Sequence, residues 1–319
     1  MTLSCLTRLS AGAVVCALVL SSVLVLDAQN GAPADSLMAS VRPLLSQDSM
    51  NVYRRFAPEH REKMLEYYGK VLALRALSPI NFQGGGQMIL FGVGTGQVKL
   101  ATGLKRGREY SVGPVLAGTG IRMITLFFPS EDALKARFAE FGYSAPTFHA
   151  GPRGTRVAHV ADPGGFMTEL VVVPNGESPA YDRMEVTIAV SDLERSRTFY
   201  REFVGLDELP PVQDALLGTT KYPYRHAETT VNLVAVAKGV PADTGSAGIQ
   251  YVVSDVETVD TRAKARNVAV EEPLSNMAGF SLRTVWLNDP DGATNYFAQV
   301  GGAGGGRGGR GGGRGAAAR

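Results

Sequence analysis

Two short patterns occur twice in this chain at nearly the same spacing. Residues 67–74 (YYGKVLAL) are echoed by residues 199–206 (FYREFVGL), and residues 162–165 (DPGG) are echoed by residues 289–292 (DPDG). The aromatic pairs lie 132 residues apart and the Asp-Pro turns 127 residues apart. Two markers that keep their separation indicate a duplicated domain. We predict one copy at residues 50–174 and a second at residues 182–300.

The first 28 residues are predicted to be an export signal. They carry one cation, Arg8, before an uncharged apolar run at residues 11–26, and Ala28 is a small residue suited to end a cleavage site. An uncleaved N-terminal anchor is the alternative, but 16 residues are short for a span that needs roughly 20. Both cysteines, Cys5 and Cys16, lie in this segment. A secreted or periplasmic mature protein would therefore have no thiol, and no stable membrane span.

The two ends of the mature chain are predicted to lie outside the domains. Residues 29–49 show little hydrophobic periodicity and are predicted to be a linker. Residues 301–319 contain only Gly, Ala and four arginines, so they cannot form a core and are predicted to be a disordered tail. Without these arginines the formal net charge of +2 becomes −2, which argues against a nucleic-acid-binding body. The tail itself could contact anionic surfaces.

Each copy is predicted to contain two successive strand–helix–strand units. Residues 184–190 (MEVTIAV) alternate in hydrophobicity like a half-buried strand, and Asp192 can cap a helix at 193–203 that Gly205 ends. Asp255 caps the next helix, at 256–266. Further strands of the second copy are predicted at 214–217, 229–236, 249–253, 268–271, 282–287 and 294–300. The first copy is predicted to have strands at 50–56, 88–91, 97–101, 121–128, 155–160 and 166–173, with helices at 58–71 and 130–141. The predicted fold class is α+β, built from tandem βαβββ units.

The strand that ends in Val-Ser-Asp-Leu, the helix that ends in Phe-Tyr and Gly-Leu, and the closing Asp-Pro-Asp-Gly turn together resemble the vicinal oxygen chelate superfamily. This superfamily includes glyoxalase I, extradiol dioxygenases, fosfomycin-resistance enzymes and bleomycin-binding proteins. The resemblance implies that two βαβββ units pair and that their sheet curls into a cup for a small molecule. It also implies a divalent metal (Mn, Fe, Ni or Zn) held by ligands on the first strand of each unit and on the last strand of the domain.

The second copy retains one of these implied metal positions. Glu185, seven residues before Asp192, stands where many relatives have His. The matching position in the next unit is Gly248, beside Gln250, and the last-strand position is Tyr296. Glycine offers no ligand atom, so a metal at this copy depends on Glu185.

The first copy also retains one carboxylate. Glu169 stands at the last-strand position, four residues after Gly165, while the two first-strand positions fall near Asn51 and Met123. His159, one predicted strand away, could face the same cup. Glu169 and Glu185 could share a metal across the copies, although the resemblance implies that each site is built within one domain.

Other residues are candidates for ligand contact without a metal. Tyr251, Trp286 and Tyr296 could line an apolar cup, with His226 among aromatic neighbours. Two functions stay open: a metal-dependent lyase, isomerase or dioxygenase, or a metal-free protein that binds or sequesters a small molecule. A third, a surface or assembly protein, would act through the tail.

Overall fold

The computed structural model describes residues 34–82, 85–104, 108, 110–173, 183–277 and 279–301. The predicted export signal and residues 302–319 of the predicted tail lie outside this range. In the described part, no helix has the length and apolar composition needed to cross a membrane.

The described part of the predicted linker packs against the rest of the chain. It contains the short helix α1 (Ala34–Leu37) and a 3-10 turn (Arg42–Leu44). Val41 is fully buried, and its backbone N–H donates to the carbonyl of Phe203 at 2.7 Å. Arg42 forms an ion pair with Asp207 at 2.7 Å. Residues from Val41 onward are therefore anchored to the folded body.

The structure contains four successive units, each with a first strand, a helix and then further strands. Unit 1 consists of β1 (Asn51–Arg55), α2 (Arg61–Glu66), β2 (Arg75–Asn81), β3 (Gln87–Val93) and β4 (Gly96–Thr102). Unit 2 consists of β5 (Gly120–Phe128), α3 (Glu131–Glu140), β6 (His149–Ala150), β7 (Arg156–Ala161) and β8 (Met167–Val172). Unit 3 consists of β9 (Met184–Val190), α4 (Leu193–Thr198), β10 (Asp207–Glu208), β11 (Val212–Asp214), β12 (Thr219–His226) and β13 (Thr229–Ala235). Unit 4 consists of β14 (Ala247–Val252), α5 (Val256–Ala265), β15 (Val270–Asn276), β16 (Leu282–Asn288) and β17 (Thr294–Val300). The predicted α+β fold is confirmed.

The units pair between the copies rather than within them. The first sheet has the order β15-β16-β17-β14-β1-β4-β3-β2, so it joins unit 1 to unit 4 through the antiparallel pair β1–β14. The second sheet has the order β10-β12-β13-β9-β5-β8-β7-β6 and joins units 2 and 3 through β5–β9, with β11 paired to β12. The expectation that each copy closes its own cup is therefore wrong. Each sheet combines one unit from each copy.

The repeated sequence markers touch each other within each copy. The hydroxyl of Tyr68 donates to the carboxylate of Asp162 at 2.8 Å, and that of Tyr200 donates to Asp289 at 3.1 Å. Each Tyr lies in a π-helical turn, Tyr67–Val71 or Phe199–Val204, that continues the helix of unit 1 or unit 3. The bond therefore fastens a helix of one sheet to a turn of the other. This pairing explains why the aromatic pair and the Asp-Pro turn recur together.

Successive side chains along each strand point to opposite faces of the sheet. In the second sheet, Ile124, Leu170 and Val186 point toward the helices and join one continuous hydrophobic core. Their neighbours, Thr125, Glu169 and Glu185, point to the opposite face, because successive side chains in a strand alternate. We call this opposite face of each sheet its cup face.

Four strands were not predicted from the sequence, namely β2, β12 and the two-residue strands β6 and β10. β2 lies at the edge of the first sheet and is mostly exposed, with Pro79 in its middle, so it lacks a buried alternating face. β12 contains Pro223 between two tyrosines. A proline within an apolar run predicts an edge strand or no strand at all. In the structure, β10 and β11 each pair with only part of β12.

Candidate functional site on the second sheet

The two candidate glutamates meet on the cup face of the second sheet. Thr125 on β5 lies opposite Glu169 on β8 and opposite Glu185 on β9. Directly opposed residues share a face and lie close together. The site thus combines a carboxylate from each copy, whereas the resemblance implied that each site is built within one domain. Thr125, and not Met123, is therefore the β5 residue that lies between the two glutamates.

Glu169 lies at the centre of a polar cluster and is only 4% exposed. Its Oε2 accepts a hydrogen bond from the Thr125 hydroxyl at 2.7 Å, and its Oε1 lies 3.1 Å from Nε2 of His159. The ammonium of Lys221 lies 2.9 and 3.0 Å from the two carboxylate oxygens. Burial would raise the pKa of Glu169, but the hydrogen bond to His159, the charge of Lys221 and the Thr125 hydroxyl outweigh it and lower the pKa to about 2. Glu169 is therefore ionised at neutral pH.

Lys221 on β12 is shared between two carboxylates. Besides Glu169, its Nζ lies 2.7 Å from Oδ2 of Asp214. The other oxygen of Asp214 accepts from the backbone N–H groups of Leu216 and Leu217 at 3.0 and 2.9 Å, which fixes the carboxylate in the turn after β11. Burial alone would lower the pKa of Lys221, but the charges of Glu169 and Asp214 raise it. Lys221 is held as a cation.

Sequence reasoning missed Lys221 and Asp214. Lys221 lies in β12, which was not predicted, and Asp214 was predicted only as the first residue of a strand at 214–217. The available signal was the alternation of Lys221, Pro223 and Arg225, which places two basic residues on one face of a strand.

Glu185 has the opposite electrostatic character from Glu169. It is partly exposed, and its Oε2 accepts from the amide of Asn232 on β13 at 2.7 Å. Burial raises the pKa of Glu185; the Asn232 hydrogen bond and the charge of Lys221 oppose this, and the negative charge of Glu169 adds to it. Two neighbouring carboxyl groups with shifts of opposite sign are suited to separate acid and base roles. Glu185 is the one that takes up a proton more readily.

The donor set can be tested against the divalent metal that the resemblance implies. His159, Glu169 and Asp214 each offer one ligand atom, and these atoms lie within 4.8 Å of one another. Nitrogen and carboxylate oxygen donors suit Zn, Mn, Fe or Ni. The Lys221 ammonium, however, already contacts both carboxylates at 2.7 to 3.0 Å. A divalent ion at the same oxygens would face a buried positive charge at close range. The residues present therefore do not fit a metal while Lys221 keeps its position.

A surface groove leads to this cluster. It has a volume of about 460 Å³, and its lining includes Ser144, Thr147, His149, His159 and Leu216. The His159 imidazole thus borders the groove and also contacts the buried Glu169 carboxylate. Leu216 belongs to the turn that holds Asp214. His159 links the groove to the ionised cluster.

Three other candidates lie on the cup face of the first sheet. Trp286 and Tyr296 stack at a centroid distance of 4.5 Å, and both rings pack on Tyr53. Gln250 accepts from the side-chain amide of Asn51 at 2.9 Å. These residues are separate from the Glu169 cluster, since they belong to the other sheet.

The last two candidates occupy structural positions. Tyr251 is 1% exposed in the hydrophobic core, where its ring stacks on Phe297 and its hydroxyl donates to Asn295 at 3.0 Å. The Nε2 atom of His226 lies 2.6 Å from the carbonyl oxygen of Gln47 and so contacts the segment before β1. Neither residue contacts the Glu169 cluster.

Comparison with known proteins shows which family profile and which solved structures this chain resembles. The sequence profile of the Glyoxalase/Bleomycin resistance protein/Dioxygenase superfamily matches residues 184–297. Glyoxalase I from Zea mays superposes with a TM-score of 0.60 at 20% identity, over 79% of this chain and 92% of that one. A putative dioxygenase from Bacillus subtilis superposes with a TM-score of 0.56 at 15% identity, over 80% of this chain and 86% of that one. No curated protein matches the sequence. Residues 184–297 therefore match the Glyoxalase/Bleomycin resistance protein/Dioxygenase superfamily, and the chain shares the fold of glyoxalase I.

Proposed function

We propose that this protein binds a small polar molecule in the groove beside His159 and that it does so without a resident metal. The observation that carries the proposal is the position of Lys221, whose ammonium lies within 3.0 Å of both Glu169 oxygens and 2.7 Å from Asp214. The cation that neutralises these carboxylates is part of the chain.

His159 is the group that presents this cluster to a ligand. Its Nε2 lies 3.1 Å from an ionised carboxylate, which favours a proton on Nε2 that is donated to Glu169. The other ring nitrogen is then an acceptor, and a ligand hydroxyl can donate a hydrogen bond to it. Ser144 and Thr147 add hydroxyl groups along the same groove.

Proton transfer on a bound carbonyl compound is a second candidate function. It is favoured by the contrast between Glu169, which stays ionised, and the partly exposed Glu185, whose pKa is raised. A carboxyl group whose pKa is raised is better suited to general acid–base catalysis than an ordinary one. This function would share the site and would require Glu185 in addition to His159.

A ligand screen by thermal shift tests the binding proposal. Small hydroxy acids, keto acids and phenols are added to the mature protein and to the His159→Ala variant. We expect one class to raise the melting temperature of the wild type and to lose this effect in His159→Ala. His60→Ala, which removes an imidazole outside the groove, should keep it. A stabilising ligand whose effect survives His159→Ala would overturn the assignment of the site.

A turnover measurement separates the two candidate functions. If the ligand found in the screen is converted, Glu185→Gln should abolish conversion and leave binding within about three-fold of the wild type. If the ligand is only bound, the wild type forms no product, and Glu185→Gln should leave the affinity for the ligand unchanged. We further propose, from the predicted export signal, that binding takes place outside the cytoplasm.

A further inference from the structure

Each sheet carries a lysine on its cup face, and the two lysines differ in their partners. Lys221 in the second sheet lies between two carboxylates. Lys99 in the first sheet lies on β4, directly opposite Tyr53 of β1. Its ammonium donates to the side-chain oxygen of Gln250, and it forms no ion pair with any carboxylate of the described residues. Lys99 therefore has an uncharged partner where Lys221 has two charged ones.

The surroundings of Lys99 disfavour its charge. Its side chain is only partly exposed, and its opposed neighbours Tyr53 and Leu90 are both buried. Burial without a compensating carboxylate lowers the pKa of Lys99 to about 8. At pH 7 such an amine is neutral in about one molecule in ten, against fewer than about one in a thousand for an ordinary lysine. The neutral form carries the nucleophilic lone pair.

A cluster of three aromatic rings, Tyr53, Trp286 and Tyr296, lies on the same face of the sheet as Lys99. The ring of Tyr53 lies over Gly248, where a Cβ atom would come within 2.2 Å of it. From there Tyr53 contacts Trp286 and Tyr296 at centroid distances of 5.7 and 5.6 Å. Glycine at position 248 is thus required for the ring to reach the other two. Tyr53 and Tyr296 are buried, but the ring of Trp286 is partly exposed, so an aromatic molecule on this face can pack on that indole, with the Lys99 amine on the same face of the sheet.

We propose that Lys99 is a carbonyl-capturing amine that condenses with aromatic aldehydes on the cup face of the first sheet. The lysine nitrogen attacks the carbonyl carbon and forms a C–N bond. The carbonyl oxygen then leaves as water with the two protons of the amine, which gives an imine. The step needs no oxidant, reductant or metal. It is independent of the groove beside His159, because it takes place on the other sheet.

Reductive trapping followed by peptide mapping tests this proposal. The full-length protein is incubated at pH 7 with benzaldehyde and sodium cyanoborohydride, which reduces the imine to a stable secondary amine. We expect benzylation at Lys99 to be at least ten-fold faster than at Lys238, which is exposed. Lys221, which is buried and paired, should stay unmodified. Labelling of Lys99 at or below the rate of Lys238 would overturn the proposal.

A second variant keeps the test independent of folding damage. Gln250→Glu places a carboxylate at the atom that Lys99 already contacts. We expect the labelling rate of Lys99 to fall at least ten-fold at pH 7 and its pH profile to move to higher pH. Lys238 should be labelled as before. A rate at Lys99 that does not change in Gln250→Glu would show that the amine is not activated by the lack of a charged partner.

Discussion

At the scale of single residues, Glu169 and Lys221 keep each other charged inside the protein. Glu169 has a pKa of about 2, against 4.5 for an ordinary glutamate. Because the folded-state value lies below the unfolded-state value, the folded protein binds fewer protons than the unfolded chain between these two pH values. The stabilisation is therefore complete above pH 4.5 and is lost as the pH falls toward 2. Its size is roughly 3 kcal/mol.

Replacing Glu169 by Gln should remove this stabilisation. We expect the free energy of unfolding to fall by roughly 3 kcal/mol at pH 6, since Lys221 loses a charged partner. The difference between wild type and variant should shrink as the pH falls toward 3. Urea unfolding at both pH values measures it. A difference of equal size at pH 6 and pH 3 would show that the charge of Glu169 is not the cause.

Asp289 shows the reverse dependence on pH. Burial raises its pKa to about 6, although hydrogen bonds from the backbone N–H of Ala293 and from Tyr200 oppose the shift. The folded protein therefore binds more protons than the unfolded chain between about pH 4 and 6, so this group lowers stability as the pH rises through that window. The burial of Asp289 is tolerated because its turn and Tyr200 supply donors.

At the scale of elements, the Tyr–Asp bonds join each helix to a turn of the other sheet. We expect Tyr68→Phe and Tyr200→Phe each to lower the free energy of unfolding by about 1.5 to 3 kcal/mol, because each leaves a buried carboxylate without one donor. Tyr143→Phe is the matched control. Its hydroxyl donates to Glu66 at the surface, at 3.2 Å, and its loss should cost far less. Chemical denaturation compares the three, and equal losses in all of them would contradict this role.

Helix caps and alternating strands were predictable because their sequence signals lie within a few residues of the element itself. Asp192 and Asp255 each accept a hydrogen bond from the backbone N–H three residues later, as the sequence predicted for helix caps. The predicted strands at 184–190 and 294–300 match β9 and β17. The predicted helices 58–71 and 193–203 both end in a π-helical turn, which no simple periodicity indicates.

The site was only half predictable. Glu169, Glu185 and His159 were recognised as candidates because family positions or strand spacing point to them. Their meeting depends on β5 pairing with β9, a contact between the two copies that short-range patterns do not specify. Lys221 was not recognised as a candidate because its strand, β12, was not predicted. Yet Lys221 is the residue that decides whether a metal fits.

At the scale of the whole molecule, the interleaved sheets make the two copies dependent on each other. Residues 34–174 and 182–301 expressed separately would each contain half of both sheets, with the edges of β1 and β5 or of β9 and β14 unpaired. We expect each fragment alone to be unfolded or aggregated and an equimolar mixture to recover β-sheet circular dichroism. A stable, monomeric, folded single fragment would contradict the interdependence.

The export proposal also concerns the whole chain. If residues 1–28 are removed during secretion, the mature protein should begin at Gln29. N-terminal sequencing of protein recovered from outside the cytoplasm measures this directly. An intact Met1 in membrane-bound protein would instead identify an uncleaved anchor.

The central claim is that the Lys221 ammonium takes the place of a metal between Glu169 and Asp214. The most direct test is metal content by inductively coupled plasma mass spectrometry, for protein purified without chelators and then exposed to Mn, Fe, Ni or Zn. We predict no stoichiometric metal in the wild type, and uptake of about one ion in Lys221→Ala, which frees His159, Glu169 and Asp214. Lys264→Ala, which removes a surface lysine paired with Asp260, should behave like the wild type. One ion per wild-type chain that is lost in Glu169→Gln would contradict the account.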